Sequence, residues 1–209
     1  MDTVVGVIDY GAGNVFSLET MLLRIGVPYF LSHDIKSLSS ASHIILPGVG
    51  HFQRAIHYLQ RHDLVDFIRE VVEKDQQYLM GICLGMQVLA TKGYEGGETT
   101  GIGVIAGEVT KLPTTPKARV PQVGWNELHF SANSPDAFKQ VTLGETVYFN
   151  HGYHFELRER LPVAWTYHDD KKVLAAFQKR KVLGVQFHPE KSQSVGQRIF
   201  QQFFSSNNC

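Results

Sequence analysis

Three times in the first half of the chain, a short run of β-branched and aliphatic residues ends in a turn of small residues and hands over to a stretch with helical spacing. Thr3 to Ile8 leads into the Gly-rich turn Asp9 to Gly13. Val15, Leu18, Met21, Leu22 and Ile25 then recur at helical intervals until Gly26 and Pro28 stop the helix. His43 to Leu46 runs into Pro47-Gly48-Val49-Gly50 and on to helical patterns at Phe52 to Gln60 and Leu64 to Lys74. Tyr78 to Ile82 delivers the chain to Cys83 and a helical run from Leu84 to Thr91, and Tyr29 to Leu31 is a further short strand. Strands separated by helices pair through crossovers. The pattern therefore predicts an α/β fold with a mostly parallel central sheet flanked by helices.

After Gly93 the texture changes. Gly-rich, Pro-punctuated segments alternate with predicted strands at Val104 to Lys111, Val120 to Phe130, Thr146 to Glu156, Val163 to His168, Val173 to Phe177 and Val182 to Phe187, and Val195, Ile199 and Phe203 mark a terminal helix. No linker-like composition break, repeat or low-complexity tract interrupts the chain. With 209 residues, one domain over 1–209 with a β-rich second half is the expectation.

Charge and cysteine content narrow the function classes. Twenty Lys and Arg balance twenty Asp and Glu, so no basic field argues for a nucleic acid or an anionic membrane as partner. No apolar run reaches the ~20 residues that span a bilayer, and Met1-Asp2-Thr3 lacks a basic leader, which makes a cytoplasmic location the expectation. The two cysteines, Cys83 and Cys209, are too few for a disulfide scaffold. Ten histidines invite a metal, yet His151 and His154 stand three apart in a predicted strand, on opposite faces, and no cysteine pair supports zinc. Gly11-Ala12-Gly13 lacks both the third glycine and the Gly-Lys-Ser/Thr ending of a phosphate loop.

Gly81-Ile82-Cys83-Leu84-Gly85 has the form G-x-C-x-G between a predicted strand and a predicted helix. That is the setting of a nucleophile elbow, where a sharp turn holds the reactive atom at a strand tip and small neighbours relieve crowding. A thiol there sits at a helix N-terminus, which favours the thiolate, and the Leu84 N–H can donate to an oxyanion. The alternative is a small buried hydrophobe, the commonest fate of a free cysteine. Acyl transfer also needs an imidazole and a group that orients it. His188-Pro189-Glu190 supplies both, directly after the strand Val182 to Phe187.

Gly81-Ile82-Cys83-Leu84-Gly85-Met86-Gln87 and Gly184-Val185-Gln186-Phe187-His188-Pro189-Glu190 resemble the two signatures of class I, triad-type glutamine amidotransferases, in the expected order. Ile8-Asp9-Tyr10-Gly11-Ala12-Gly13-Asn14, Leu46-Pro47-Gly48-Val49-Gly50, Gly124-Trp125-Asn126 and His188-Pro189-Glu190-Lys191-Ser192 are similar to the glutaminase subunits of imidazole glycerol phosphate synthases. The resemblance implies hydrolysis of glutamine to glutamate and ammonia, without a cofactor or metal. The ammonia passes to a (β/α)8-barrel cyclase subunit, in a heterodimer that makes imidazole glycerol phosphate and aminoimidazole carboxamide ribotide for histidine biosynthesis. Neither nucleic acid nor membrane is implied.

By the same resemblance Cys83 is the nucleophile, His188 the general base and acid, and Glu190 the orienting carboxylate. Pro47-Gly48-Val49-Gly50 matches the family's oxyanion loop; a glycine-bracketed turn at a strand end can aim a backbone N–H and rotate it cheaply, so Val49–Gly50 is the expected second donor beside Leu84, in an orientation conditional on the partner, against a plain turn. Gly48, Gln87, Glu95, Gly152 and Tyr153 are the expected glutamine contacts. Glu95 reads equally as a solvated loop charge and Tyr153 as a packed aromatic. At Gly152 the family's usual small hydroxyl residue is replaced, so only its backbone carries over. Asn14, Trp125 and Lys191 are the expected cyclase contacts, against a helix cap, a core aromatic and a surface charge as the plainer readings. Gln122-Val123 departs from the family's common His-Met. Three readings compete with a histidine-pathway subunit: a subunit feeding another acceptor such as a surface sugar, a stand-alone γ-glutamyl hydrolase, and a non-catalytic interaction subunit.

Overall fold

The computed structural model describes residues 3–11, 15–115 and 118–205, so the expected contact Asn14 and the tail residue Cys209 lie outside the described residues. In chain order the elements are β1 (Val5–Ile8), α1 (Phe16–Ile25), β2 (Tyr29–Ser32), α2 (Ile35–Leu38), β3 (His43–Leu46), α3 (Phe52–Arg61), α4 (Leu64–Lys74), β4 (Tyr78–Ile82), α5 (Leu84–Gln87), β5 (Ala90–Gly93), β6 (Thr99–Thr100), β7 (Ile105–Lys111), β8 (Gln122–Glu127), β9 (His129–Phe130), β10 (Thr146–His151), β11 (Tyr153–Leu157), β12 (Val163–His168), β13 (Lys171–Lys179), β14 (Val182–Val185) and α6 (Gln193–Ser205).

The main sheet has the order β2-β1-β3-β4-β14-β13-β12-β9. Its first five strands run parallel, and β13, β12 and β9 complete it antiparallel. The strand that matters most for the site is β14. It enters from the far end of the chain and pairs with β4, Gly184 opposite Gly81 and Val185 opposite Ile82. Cys83 and His188, 105 residues apart in sequence, thereby leave the sheet at the same end. That carboxyl end of the parallel strands is where open α/β sheets bind ligands.

The period of two along a strand sorts the core into two layers. Ile44 and Leu46 join the apolar faces of α3 and α4, while Val5, Val7 and Ile45 join α1 and α6. On α3, Phe52, Ala55, Ile56 and Leu59 are buried at the spacing of one helix face. Each fully buried Phe or Leu in these layers contributes about 1.5–3 kcal/mol. Gly26 ends α1 in the left-handed conformation, φ 70°, and its N–H caps the Leu22 and Leu23 carbonyls. Among the described residues, no helix is long and apolar enough to cross a membrane.

Three expected elements differ. The helix expected from Leu84 to Thr91 is the single turn α5, because the Val88, Leu89 and Ala90 carbonyls are taken by the N–H groups of Ile102, Ile105 and Gly103. Residues 90–93 are strand β5 instead. The expected strand Thr146 to Glu156 breaks at Gly152, where the chain passes from pairing with β8 to pairing with β7. Likewise the stretch Val120 to Phe130 is divided at Leu128, and β9 pairs with β12 in the main sheet. Strands β11-β7-β5-β6 and β10-β8 form two further small sheets.

Candidate active site

Cys83 has φ 52° and ψ −107°, a strained backbone for a residue with a Cβ. One nonlocal and one local bond hold it there: its N–H donates to Val185 O at 2.7 Å, and its carbonyl accepts from Gln87 N, in the first turn of α5, at 3.1 Å. The flanking glycines are steric necessities. A Cβ on Gly85 would lie 1.8 Å from Leu46 O, and one on Gly81 would lie 2.9 Å from the Gly85 carbonyl. The elbow is therefore pressed against the end of β3. Because α5 is one turn long, strain and neighbouring side chains, rather than a long helix dipole, dominate the environment of the thiol.

His188 is buried, 1% exposed, at the exit of β14. Its N–H donates to Tyr148 O at 2.8 Å, and its carbonyl accepts from Ser192 Oγ at 2.6 Å, while Ser192 Oγ also accepts from Tyr148 N at 3.0 Å. Nδ1 meets Glu190 Oε1 at 2.7 Å. That leaves Nε2 with no other hydrogen-bond partner among the described residues. Burial pulls the imidazole pKa down, but interaction with the Cys83 sulfur and with Glu190 outweighs it and lifts the group to about 10. The carboxylate fixes Nδ1 as the ring nitrogen turned away from the sulfur and favours the protonated imidazole.

Sequence reasoning assigned no role to Gln186. It is fully buried, donates from Nε2 to Cys83 Sγ at 3.6 Å, and accepts at Oε1 from Gln87 Nε2 at 3.0 Å. Gln87 Nε2 also donates to Tyr153 O at 2.8 Å. Both N–H groups of Gln87 are thus committed within the protein, and only its carbonyl oxygen is left to meet a substrate. The two amides form a relay ending on the sulfur, where a donor stabilises negative charge. The Val185-Gln186-Phe187 alternation offered a signal, since a polar residue in an otherwise apolar buried run needs a partner.

Neither expected oxyanion donor is open. The Leu84 N–H points at Gly48 O, 3.4 Å away, a long and weak bond. In a trans peptide the N–H opposes the C=O, so the Val49 N–H of that same peptide is directed away from Leu84. Gly50, at φ 114°, holds a conformation that a residue with a Cβ rarely adopts.

A cavity of about 230 Å³ opens beside the thiol, lined by Val49, Gly50, Cys83, Leu84, Gln87, Glu95, Asn150, Gly152 and Tyr153 among others. Gln87, Glu95, Gly152 and Tyr153, four of the five expected glutamine contacts, line it; Gly48 does not, being packed against Tyr10 Oη and Leu84 Cβ instead. Glu95, however, uses Oε2 to accept the Phe52 N–H at 2.7 Å, capping the first turn of α3. Tyr153 both lines the cavity and packs on the core. At Gly152 a Cβ would meet only Val120 Cγ1 at 3.5 Å, ordinary contact, so the missing hydroxyl side chain reflects no shortage of space. A larger groove of about 680 Å³, lined by Ile35, Ser39, Phe67 and Glu70 among others, contains neither Cys83 nor His188.

Trp125 is 46% exposed and meets Tyr148 edge-on at 6.0 Å, and Lys191 Nζ lies 5.9 Å from the same ring. Trp125 is therefore not a core aromatic. Val123 and Phe16 are likewise exposed apolar residues.

His151 ends β10 and His154 lies in β11, so the single strand on which their opposition is expected is broken between them, and both are buried. His151 Nδ1 bonds Tyr153 O at 2.8 Å, and His154 Nε2 contacts Lys171 Nζ at 3.2 Å and Thr110 Oγ1 at 3.3 Å. Burial pushes His43, His151 and His154 down to about 4 each. They fold neutral, whereas the unfolded chain protonates them near pH 6.5. Stability from this source is complete above pH 6.5 and falls as the pH drops toward 4, by about 1.4 kcal/mol per pH unit for the nearly fully buried His151 and by less for the other two. His188 acts in the opposite sense: its contribution is complete below pH 6.5 and is lost as the pH rises through about 10. Thermal unfolding followed from pH 4.5 to 10.5 is expected to give a melting temperature that peaks near pH 6.5 and falls on both sides. A temperature that stays level down to pH 4.5 would exclude buried neutral histidines.

A strained thiol at the tip of one strand, with a buried imidazole–carboxylate pair just beyond the end of its neighbour, is the arrangement of a cysteine-dependent acyl-transfer enzyme of the α/β class. The sequence profile of the class-I glutamine amidotransferase family matches residues 6–207. The chain is 42% identical to the imidazole glycerol phosphate synthase subunit HisH of Geobacillus thermodenitrificans, covering 96% of this chain and 95% of that one. It is 40% identical to the HisH subunit of Bacillus subtilis, with 96% and 95% covered. Among solved structures, a crystal structure of a glutamine amidotransferase aligns with a TM-score of 0.74 at 22% identity, covering 96% of this chain and 97% of that one. The PurLQS structure from Thermotoga maritima aligns with a TM-score of 0.73 at 18% identity over 100% of each chain. The chain belongs to the class-I glutamine amidotransferases, in the branch of the HisH subunits of imidazole glycerol phosphate synthase.

Proposed function

We propose that this protein, as one glutaminase domain, hydrolyses glutamine and passes the ammonia to a (β/α)8-barrel cyclase subunit in histidine biosynthesis. The observation that carries the reading is the Cys83–His188–Glu190 constellation at the paired exits of β4 and β14. The Cys83 thiolate attacks the δ-carbonyl of glutamine, and the tetrahedral oxyanion is held by the Leu84 and Val49 N–H groups. His188 then protonates the departing ammonia, and the thioester forms. Water, deprotonated by His188 and again passing through an oxyanion, releases glutamate and restores the thiol. Glu190 keeps the imidazole in register throughout. The substrate sits in the 230 Å³ cavity against Gln87, Glu95, Gly152 and Tyr153.

The Gly48 carbonyl facing Leu84 N–H supports a gated enzyme, because the peptide from Gly48 to Val49 must turn over before either donor can serve. The exposed Trp125, the adjoining Lys191 and the apolar Val123 and Phe16 support a protein partner as the trigger. Glutamate production by the free chain and by its complex with the cyclase subunit tests this. Since a single oxyanion donor contributes about 10²–10³ in turnover, stimulation of at least about 100-fold is expected. Equal rates would overturn the gating, and a free chain at full rate would favour a stand-alone hydrolase.

A further inference from the structure

The oxyanion loop is held at both ends by groups outside the triad. At its far end, Glu95 Oε2 accepts from Phe52 N at 2.7 Å. At its near end, the Tyr10 hydroxyl donates to Pro47 O at 2.5 Å. Tyr10 comes from the turn after β1, is 3% exposed, and its ring leans on Tyr58 of α3 at a centroid distance of 6.0 Å. The hydroxyl also fills the space that a side chain at 48 would take: a Cβ on Gly48 would lie 2.3 Å from Tyr10 Oη and 2.8 Å from Leu84 Cβ. Tyr10, Gly48 and Leu84 are therefore one packed cluster beneath the loop. Between the two anchors the backbone has the freedom of Gly48 and Gly50.

We propose that Tyr10 is a positioning residue for the oxyanion loop, pinning the Pro47 carbonyl so that reorientation is confined to the single peptide joining Gly48 and Val49. With the preceding peptide plane fixed, that peptide turns about two bonds, the last backbone bond of Gly48 and the first of Val49. It holds the closed arrangement firmly, and once turned it delivers the Val49 N–H to one place. Without the hydroxyl, Pro47 and Gly48 move together, the closed arrangement loosens and the open one is blurred. Tyr10 takes no part in proton transfer itself. Its proton is committed to Pro47 O, and burial, with the nearby Cys83 charge, keeps the phenol protonated.

This inference rests on the gated glutaminase reading. The test compares wild type and Tyr10→Phe, each free and in complex with the cyclase subunit. Rates are expressed per Cys83 that reacts with iodoacetamide, counted by mass spectrometry of its peptide, because alkylation needs no oxyanion hole and reports intact sites. The variant is expected to raise the free rate and lower the complexed rate, cutting the stimulation ratio by about fivefold or more with KM for glutamine within twofold, as an interaction used only in the transition state requires. A merely structural tyrosine lowers both rates together and leaves the ratio untouched, which would overturn the inference. Absence of stimulation in wild type would instead overturn the gated reading, and the inference with it. Should Tyr10→Phe not fold, 3-fluorotyrosine at position 10, a stronger donor of nearly the same volume, must raise the ratio, and an unchanged ratio overturns the proposal.

Discussion

Replacing Cys83 by alanine is expected to lower glutamine hydrolysis by at least about 10⁴-fold, to the rate left by binding alone. The size of the loss follows from the division of labour. His188 and Glu190 have no nucleophile to serve without the sulfur, so the three act as a unit and the first deletion removes nearly the whole advantage. Glutamate release from glutamine, assayed in the stimulated complex, reads the loss. Thermal unfolding checks that the fold survives. A Cys83→Ala complex that still released ammonia at a tenth of the wild-type rate would sink the mechanism.

The second large effect falls on stability. Gly85→Ala puts a methyl group 1.8 Å from Leu46 O, against backbone that is itself locked between β1 and β4. Neither side can yield without breaking parallel pairing in the middle of the sheet. A loss of more than about 4 kcal/mol is expected, in the range reserved for severe overpacking. For a chain of this size that lowers the melting temperature by about 10 °C or more. Calorimetry or circular dichroism would measure it, and an unchanged melting temperature would mean that the elbow does not lie on the end of β3.

Reading from residues alone succeeded where the information was local. His43–Leu46, Leu64–Lys74 and Tyr78–Ile82 have the bounds that periodicity predicts, since apolar spacing and flanking turn residues agree there. Leu84 to Thr91 misled because a short apolar run fits helix and buried strand alike. What decided it was the distant segment at 101–105, whose N–H groups claim the Val88, Leu89 and Ala90 carbonyls. The triad was legible because its spelling is dense around Cys83 and His188. Gln186 was not singled out, because its importance lies in a contact with a residue 103 positions away. Likewise no spelling of Pro47-Gly48-Val49-Gly50 tells which way its carbonyl points. Glu95 reads in sequence as a glutamine contact or a solvated loop charge, and its bond to the first N–H of α3 joins residues 43 apart, which no local pattern encodes.

The insertion of β14 beside β4 has a consequence in time as well as in space. During synthesis the segment carrying the thiol emerges about a hundred residues before the imidazole, and until β14 docks, β4 offers an unpaired edge in place of a sheet interior. A growing or truncated chain therefore holds the thiol without the base. Activity arises only when the last strand closes the sheet, so completion of the fold is itself the step that arms the enzyme.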